Sequence, residues 1–167
     1  MTLHLVRHGR PWVEPSVPAH QWELDPAAFD DVWALRESGR LPTVAHWYTS
    51  PEPKSVQTAQ LLTDGEVAVV TALREHERDV TPWYDDLGEW RALVRRVFEQ
   101  PDRAARPGWE PLTATRDRLV PPVRAILEEH AGHDVVLVGH GTAWTLLAAA
   151  LTGQPPDLER WDTLAMP

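Results

Sequence analysis

Two histidines stand where side chains could do chemistry, each beside glycine and each directly after an apolar run. Leu3, Leu5 and Val6 give way to Arg7-His8-Gly9, and Asp134-Val135-Val136-Leu137-Val138 runs into Gly139-His140-Gly141. An apolar run that stops at polar residues reads as a buried strand opening into a loop. An imidazole can attack phosphorus only as the neutral ring. Cations at Arg7 and Lys54 would lower its pKa, favour that form, and at the same time draw in a phosphate dianion. The plainer readings are an ordinary buried or surface histidine at position 8 and, at 140, a tight strand-to-helix turn whose ring caps backbone groups.

Composition narrows the field. The formal charge of −9 on 167 residues argues against a nucleic-acid-binding face, which needs many cations to neutralise phosphates. A few cations converging in one pocket can still hold a small anion, because distant surface charge is screened over about 10 Å. The chain has no cysteine, so disulfides, zinc thiolate sites and thiol nucleophiles are removed together. His130 and His133 have a spacing used for metal ligation, yet without thiols or a carboxylate cluster they read as polar helix-end residues. An apolar fraction of 43% and a charged fraction of 25% fit an ordinary globular chain. No segment reaches the roughly 20 apolar residues that cross a bilayer, and the expectation is a cytoplasmic protein of one domain, residues 1–167.

The elements that must position these residues alternate. After the first strand, Asp25-Pro26 reads as an N-cap with proline at the first helical position, and Gly39 as the stop of a helix over about 26–38. Val44 to Tyr48 predicts a second strand, and Ser50 is the expected cap of a helix carrying Val56, Ala59 and Leu62 on one face. Val67-Ala68-Val69-Val70 predicts a third, buried strand leading to Leu73-Arg74-Glu75. Residues 76–112 break the rhythm, with Trp83, Trp90 and Trp109 around one helix striped by Trp90, Leu93, Val94, Val97 and Phe98. Residues 113–130 repeat helically, but Pro121-Pro122 should kink or restart that helix. The last strand feeds a helix over Thr142–Thr152, stopped by Gly153. An edge strand near Leu164-Ala165-Met166 is the weakest reading. The sum is an α/β fold, a three-layer sandwich with a mainly parallel central sheet and helices on both faces. Ligands in such folds bind outside the carboxyl ends of the strands, where all the notable polar residues fall.

Leu5-Val6-Arg7-His8-Gly9, with Ser50-Pro51, Gln57-Thr58-Ala59, Leu73-Arg74-Glu75 and Val138-Gly139-His140-Gly141, resembles the histidine phosphatase superfamily, which also contains the phosphoglycerate mutases. The match runs in order along nearly the entire chain. The resemblance implies that His8 is the nucleophile, forming a phosphohistidine, and that His140 is the second histidine, donating to a phosphoryl oxygen. Arg7 would grip the phosphoryl oxygens as a bidentate fork. Gly141 would let backbone approach, and the helix N-terminus there would add anion affinity. Glu75 is the implied general acid, its pKa expected to be raised by partial burial and bound phosphate, with Glu77 as a rival.

Two positions depart from the family pattern. Lys54 stands where an arginine is usual in S-P-x-x-R, keeping the charge but losing the fork; its plain reading is a solvated helix residue. Arg10 follows R-H-G where an acid or amide is common. It either makes the rim basic enough for a second anionic substrate group or pairs with Glu14. The tryptophans of 76–112, a variable segment expected to cover the site, could wall a pocket for an apolar or aromatic leaving group. The implied reaction is metal- and cofactor-independent hydrolysis of a phosphomonoester, with a small phosphorylated substrate or phosphopeptide as partner. The alternatives are mutase-type transfer, for which so short a chain has little room to close the site, and a non-catalytic phospho-ligand or protein-binding module.

Overall fold

The computed structural model describes residues 1–78 and 86–167; Trp83 lies outside them. Four strands, β1 (Leu3–Arg7), β2 (His46–Thr49), β3 (Val67–Val69) and β4 (Val135–Gly139), form one sheet in the order β1-β4-β2-β3, all neighbours parallel. Every residue of β4 is buried, as expected of a central parallel strand covered on both faces.

Alternation along the strands sorts the core into two layers. Val6, Trp47, Val136 and Val138 point to one face, where Val32 of α1 (Phe29–Glu37) and Ala59 and Leu62 of α2 (Pro53–Leu62) pack on them. Leu5, Val135 and Leu137 point to the other, against Leu119, Val123 and Ile126 of α4 (Leu112–Glu129) and Trp144 and Leu147 of α5 (Gly141–Thr152). A third apolar cluster lies beyond the sheet. There Val94 and Val97 of α3 (Leu87–Glu99) meet Trp109, Leu112, Leu146 and Trp161 of α6 (Leu158–Thr163). The stripe expected for α3 thus finds its partner in helices rather than strands.

Several local expectations are corrected. β2 begins at His46, and Val44 is 86% exposed before it. β3 is the edge of the sheet, not a buried strand, with Val69 55% exposed. The N-cap of α2 is Glu52, with Pro53 at the first helical position; the Ser50 hydroxyl instead accepts from the Glu52 N–H at 3.2 Å. Pro121 and Pro122 do not restart the helix: α4 is one element of 18 residues. The Leu119–Val123–Ile126 stripe on the sheet outweighs the lost bonds, and Asp117, whose carbonyl loses its donor at Pro121, is exposed. The C-terminal segment forms no strand; α6 occupies Leu158–Thr163 and the chain after it is irregular. Gly39 and Gly153 end their helices at φ +68° and +69°, the left-handed conformation that favours glycine.

Candidate active site

The site is assembled where β1, β4 and β2 end. Ladder bonds extend one step past the strands, His8 N–H to the Gly139 carbonyl at 2.8 Å and Ser50 N–H to Val138 at 3.1 Å, so the residues that follow each strand are held in register. The Gln57-Thr58-Ala59 run locks this arrangement. The Thr58 hydroxyl accepts from the Gly9 N–H at 2.9 Å, Gln57 Oε1 accepts from the Leu24 N–H at 2.6 Å, and Ala59 is fully buried. Gly9 is fixed by space, since a Cβ there would lie 2.7 Å from Leu24 Cδ1 and 2.9 Å from Val32 Cγ2. Of the glycines flanking His140, Gly139 is the strict one: a Cβ would lie 2.4 Å from the Trp144 ring, whereas at Gly141 its nearest neighbour is Arg7 Nε at 3.6 Å.

The two imidazoles face each other with ring centroids 5.2 Å apart, tilted by 60°. His8 is buried, and its Nδ1 lies 2.7 Å from the Gly9 carbonyl. A carbonyl can only accept, so Nδ1 carries the hydrogen and Nε2 presents its lone pair. Burial first, then His140, Lys54 and Arg7, push the His8 pKa well below that of an ordinary histidine, against the Gly9 bond. His140 is pushed down to about 3, again by burial first, with Lys54, Arg7 and Arg78 acting the same way and Glu75 opposing. Its Nε2 meets Ser50 Oγ at 2.7 Å and Glu52 Oε1 at 3.3 Å, while its buried Nδ1 has no hydrogen-bond partner among the described residues. Arg7 is similarly half committed: Nη1 donates to the Leu164 carbonyl at 2.6 Å, and the buried Nε has no hydrogen-bond partner among the described residues. Buried polar atoms left unpaired are uncommon, and Arg7 and His140, which both act on the charge of His8, each retain one.

Glu75 enters from the loop after β3 and is held rigidly. Oε1 accepts from the His76 and Ala143 N–H groups, both at 2.9 Å, and Oε2 from Thr142 N–H at 3.2 Å. Two expectations are corrected by this. The Thr142 and Ala143 N–H groups in the first turn of α5 already serve a carboxylate of the chain itself rather than standing open for phosphate. The Glu75 pKa is lowered: burial pushes it up, but Arg78, His140 and the His76 N–H together outweigh burial. Arg118 anchors the loop from behind, donating to the carbonyls of Ala72, Arg74 and Glu75 at 2.9–3.1 Å and to Glu110 at 2.5 Å.

Lys54 is buried rather than solvated, and two of its three ammonium hydrogens are already committed. Its Nζ donates to Glu52 Oε2 at 2.5 Å and to the Ala19 carbonyl at 2.6 Å. Arg10 pairs with Asp25 at 3.1 Å, not with Glu14, which removes the extra basicity expected of the rim. Glu77 pairs with Arg74. Arg7, His8, Arg10, Lys54, Glu75, His140 and Gly141 all border one pocket of about 1020 Å³. Trp90 also lines it, whereas Trp109 is buried in the third apolar cluster with its ring under Arg78. His130 and His133 lie elsewhere: His130 caps the end of α4 and stacks on His46.

Sequence reasoning missed Glu52 and Arg118. Glu52 is the hub of the floor, accepting from Lys54, from the Glu75 N–H at 2.9 Å and lying beside His140. Its signal was present in Ser50-Pro51-Glu52-Pro53-Lys54, an acid two residues before the cation that departs from the family pattern. Arg118 carried no local signal, because the carbonyls it holds lie 43–46 residues away.

A parallel α/β fold with two buried histidines and an arginine at its strand ends defines a class of anion-handling site. The family profile of the histidine phosphatase superfamily, branch 1, matches residues 3–165, and the chain belongs to that superfamily. Among solved structures it is similar to a mycobacterial glucosyl-3-phosphoglycerate phosphatase (24% identity, TM-score 0.70, 96% of this chain and 82% of that one). It is also similar to a phosphoglycerate mutase from Bacillus anthracis (20%, 0.73, 93% and 81%) and to a phosphoserine phosphatase from Entamoeba histolytica in complex with 3-phosphoglyceric acid (15%, 0.74, 99% and 85%). These likenesses show the fold. A search of curated proteins returns no match. Among the described residues no helix is long and apolar enough to cross a membrane.

Proposed function

We propose that this chain is a single-domain phosphatase that hydrolyses a phosphomonoester through a phosphohistidine on His8. The observation that carries the reading is the state of His8: a buried ring kept neutral by its surroundings, with Nδ1–H spent on Gly9 and Nε2 left to attack. In the first step the Nε2 lone pair forms an N–P bond as the ester P–O bond breaks, and the leaving oxygen takes a proton from Glu75. In the second, water attacks phosphorus, its proton passes to Glu75, the N–P bond breaks, and phosphate departs. Arg7 Nε and His140, as the neutral tautomer that carries its hydrogen on Nδ1, would hold the phosphoryl oxygens, with Arg7 offsetting the charge spread over them.

Glu75 is ionised at neutral pH in the ligand-free site, so it must gain its proton on substrate binding, when the phosphoryl charge opposes the carboxylate. Turnover is therefore expected to favour mildly acidic pH. Rapid acid-free quenching of enzyme with labelled phosphomonoester should trap base-stable, acid-labile label on His8. Label elsewhere, or none during measurable turnover, would sink the mechanism.

One observation favours a second reading, a phospho-ligand-binding module without turnover. Lys54 is neutralised by Glu52, and the Glu75 carboxylate accepts three N–H bonds. A protein that binds phosphonates tightly yet hydrolyses no phosphomonoester would fit that reading instead.

A further inference from the structure

The substrate class of the site can be read from the charges and walls of its pocket, an inference that rests on the phosphatase reading above. Among the described residues five cations border the pocket, Arg7, Arg10, Lys54, Arg74 and Arg78, against four carboxylates, Asp25, Glu52, Glu75 and Glu77. Their pairing leaves little to spare. Arg10 holds Asp25, Lys54 holds Glu52, and Arg74 holds Glu77. Arg78 donates to Thr142 Oγ1 at 3.0 Å, lies 4.8 Å and 5.5 Å from the centroids of the Trp109 and Trp90 rings, and is the cation that most lowers the Glu75 pKa. Arg7, with its open Nε, is left to the phosphoryl group itself.

A leaving group with its own carboxylate or phosphate would therefore have to break an existing ion pair or sit beside an uncompensated acid. Like-charge juxtaposition of that kind is a strong device against a ligand. Much of the remaining wall is apolar. Trp12, Trp22, Leu87, Trp90, Trp161 and Met166 line the same pocket, and Trp12 and Leu87 are 61% and 55% exposed. Large apolar side chains kept in water at the mouth of a site become favourable contact area once a ligand covers them. A volume of about 1020 Å³ is at the upper end of the ~300–1,000 Å³ range of pockets for drug-sized ligands, far more than a phosphoryl group fills.

We infer that the substrate is a phosphomonoester whose leaving group is uncharged and apolar, aromatic or bulky aliphatic, seated against Trp12 and Trp90 while phosphate sits between His8 and His140. The test compares phenethyl phosphate, glycerol phosphate and 3-phosphoglycerate, all esters of alkyl alcohols, and in parallel the binding of their phosphonate analogues by calorimetry. The expected order in kcat/KM and in affinity is phenethyl, then glycerol, then glycerate, with about tenfold or more between the first and the last. Trp12→Ala, at an exposed position, should shrink the phenethyl-to-glycerol ratio by several-fold. Equal values, or a preference for the glycerate, would overturn the inference while leaving phosphatase activity intact. Preferential binding of phenethylphosphonate without turnover of any ester would overturn the phosphatase reading and leave the ligand class standing.

Discussion

Histidines gather at both ends of the same sheet. His8 and His140 follow the carboxyl ends of β1 and β4, whereas His46, His130 and His133 lie at the amino ends of β2 and β4, with His46 and His130 stacked at 3.6 Å and Tyr48 Oη 2.6 Å from His130 Nε2. The second group has more rings in contact, yet it is partly exposed and takes part in no ion pair among the described residues. The first is buried, ringed by Arg7, Lys54, Arg78 and two carboxylates, and retains unpaired polar atoms aimed into a pocket. What separates a reaction site from a stacked cluster here is the supply of fixed charge and backbone donors at the carboxyl edge, not the number of imidazoles.

The largest effect that tests this contrast is on turnover. His8→Ala should lower kcat by on the order of 10⁴-fold or more, as loss of a covalent nucleophile does, with the fold intact by circular dichroism. His130→Ala should leave kcat/KM within about twofold and cost about 1 kcal/mol of stability through the lost Tyr48 bond. Comparable losses in the two variants, measured on one substrate, would erase the distinction between the two ends.

The next effect concerns the buried Glu52–Lys54 pair, whose side chains are 7% and 6% exposed. Glu52→Gln leaves a buried ammonium without its counter-charge and should destabilise the ligand-free protein by about 3–5 kcal/mol in urea titrations. Inorganic phosphate should then raise the melting temperature of the variant by more than that of the parent, because the anion replaces the missing charge. An equal phosphate response in both proteins would mean that Lys54 does not face the anion site at all.

The parallel sheet, both helical layers and the placing of Arg7, His8, Lys54, Glu75 and His140 at its carboxyl edge were legible because each depends on short-range pattern. Apolar runs mark parallel strands, and their ends mark the ligand edge. The charge pairing was not legible. Whether Lys54 is neutralised depends on Glu52 and on the Ala19 carbonyl 35 residues away, and whether Glu75 is raised or lowered depends on how far burial is offset by Arg78, by His140 from a distant strand end and by the His76 N–H. The continuity of α4 through two prolines was hidden for a similar reason, since the stripe that overrides them is credited only once the sheet is present to receive it. Local sequence placed the actors, and only the folded chain sets their charge states.

The smallest effect per group is also the most direct measure of those charge states. In the folded protein His140 titrates at about 3 and His76 at about 4, with His8 also well below the ordinary value of 6.5, in each case chiefly because burial disfavours the charged ring. In the unfolded chain all three protonate near 6.5. Below that pH the unfolded state binds more protons than the folded one, so stability rises with pH through the window and falls as pH drops from about 6.5 toward 4. Each ring contributes a slope approaching about 1.4 kcal/mol per pH unit well inside that window. Above about pH 7 both states hold the rings neutral and the contribution is flat. Lowered Glu75 adds a loss of the same sign, but only as pH falls below its unfolded value of 4.5. Urea unfolding at pH 7.5, 6.0 and 5.0 should show this decline, and His140→Asn should reduce the slope near pH 5 by about one ring's share. A slope unchanged by that substitution would show that the second histidine is charged in the folded protein, and with it the neutral two-ring cup would have to be given up.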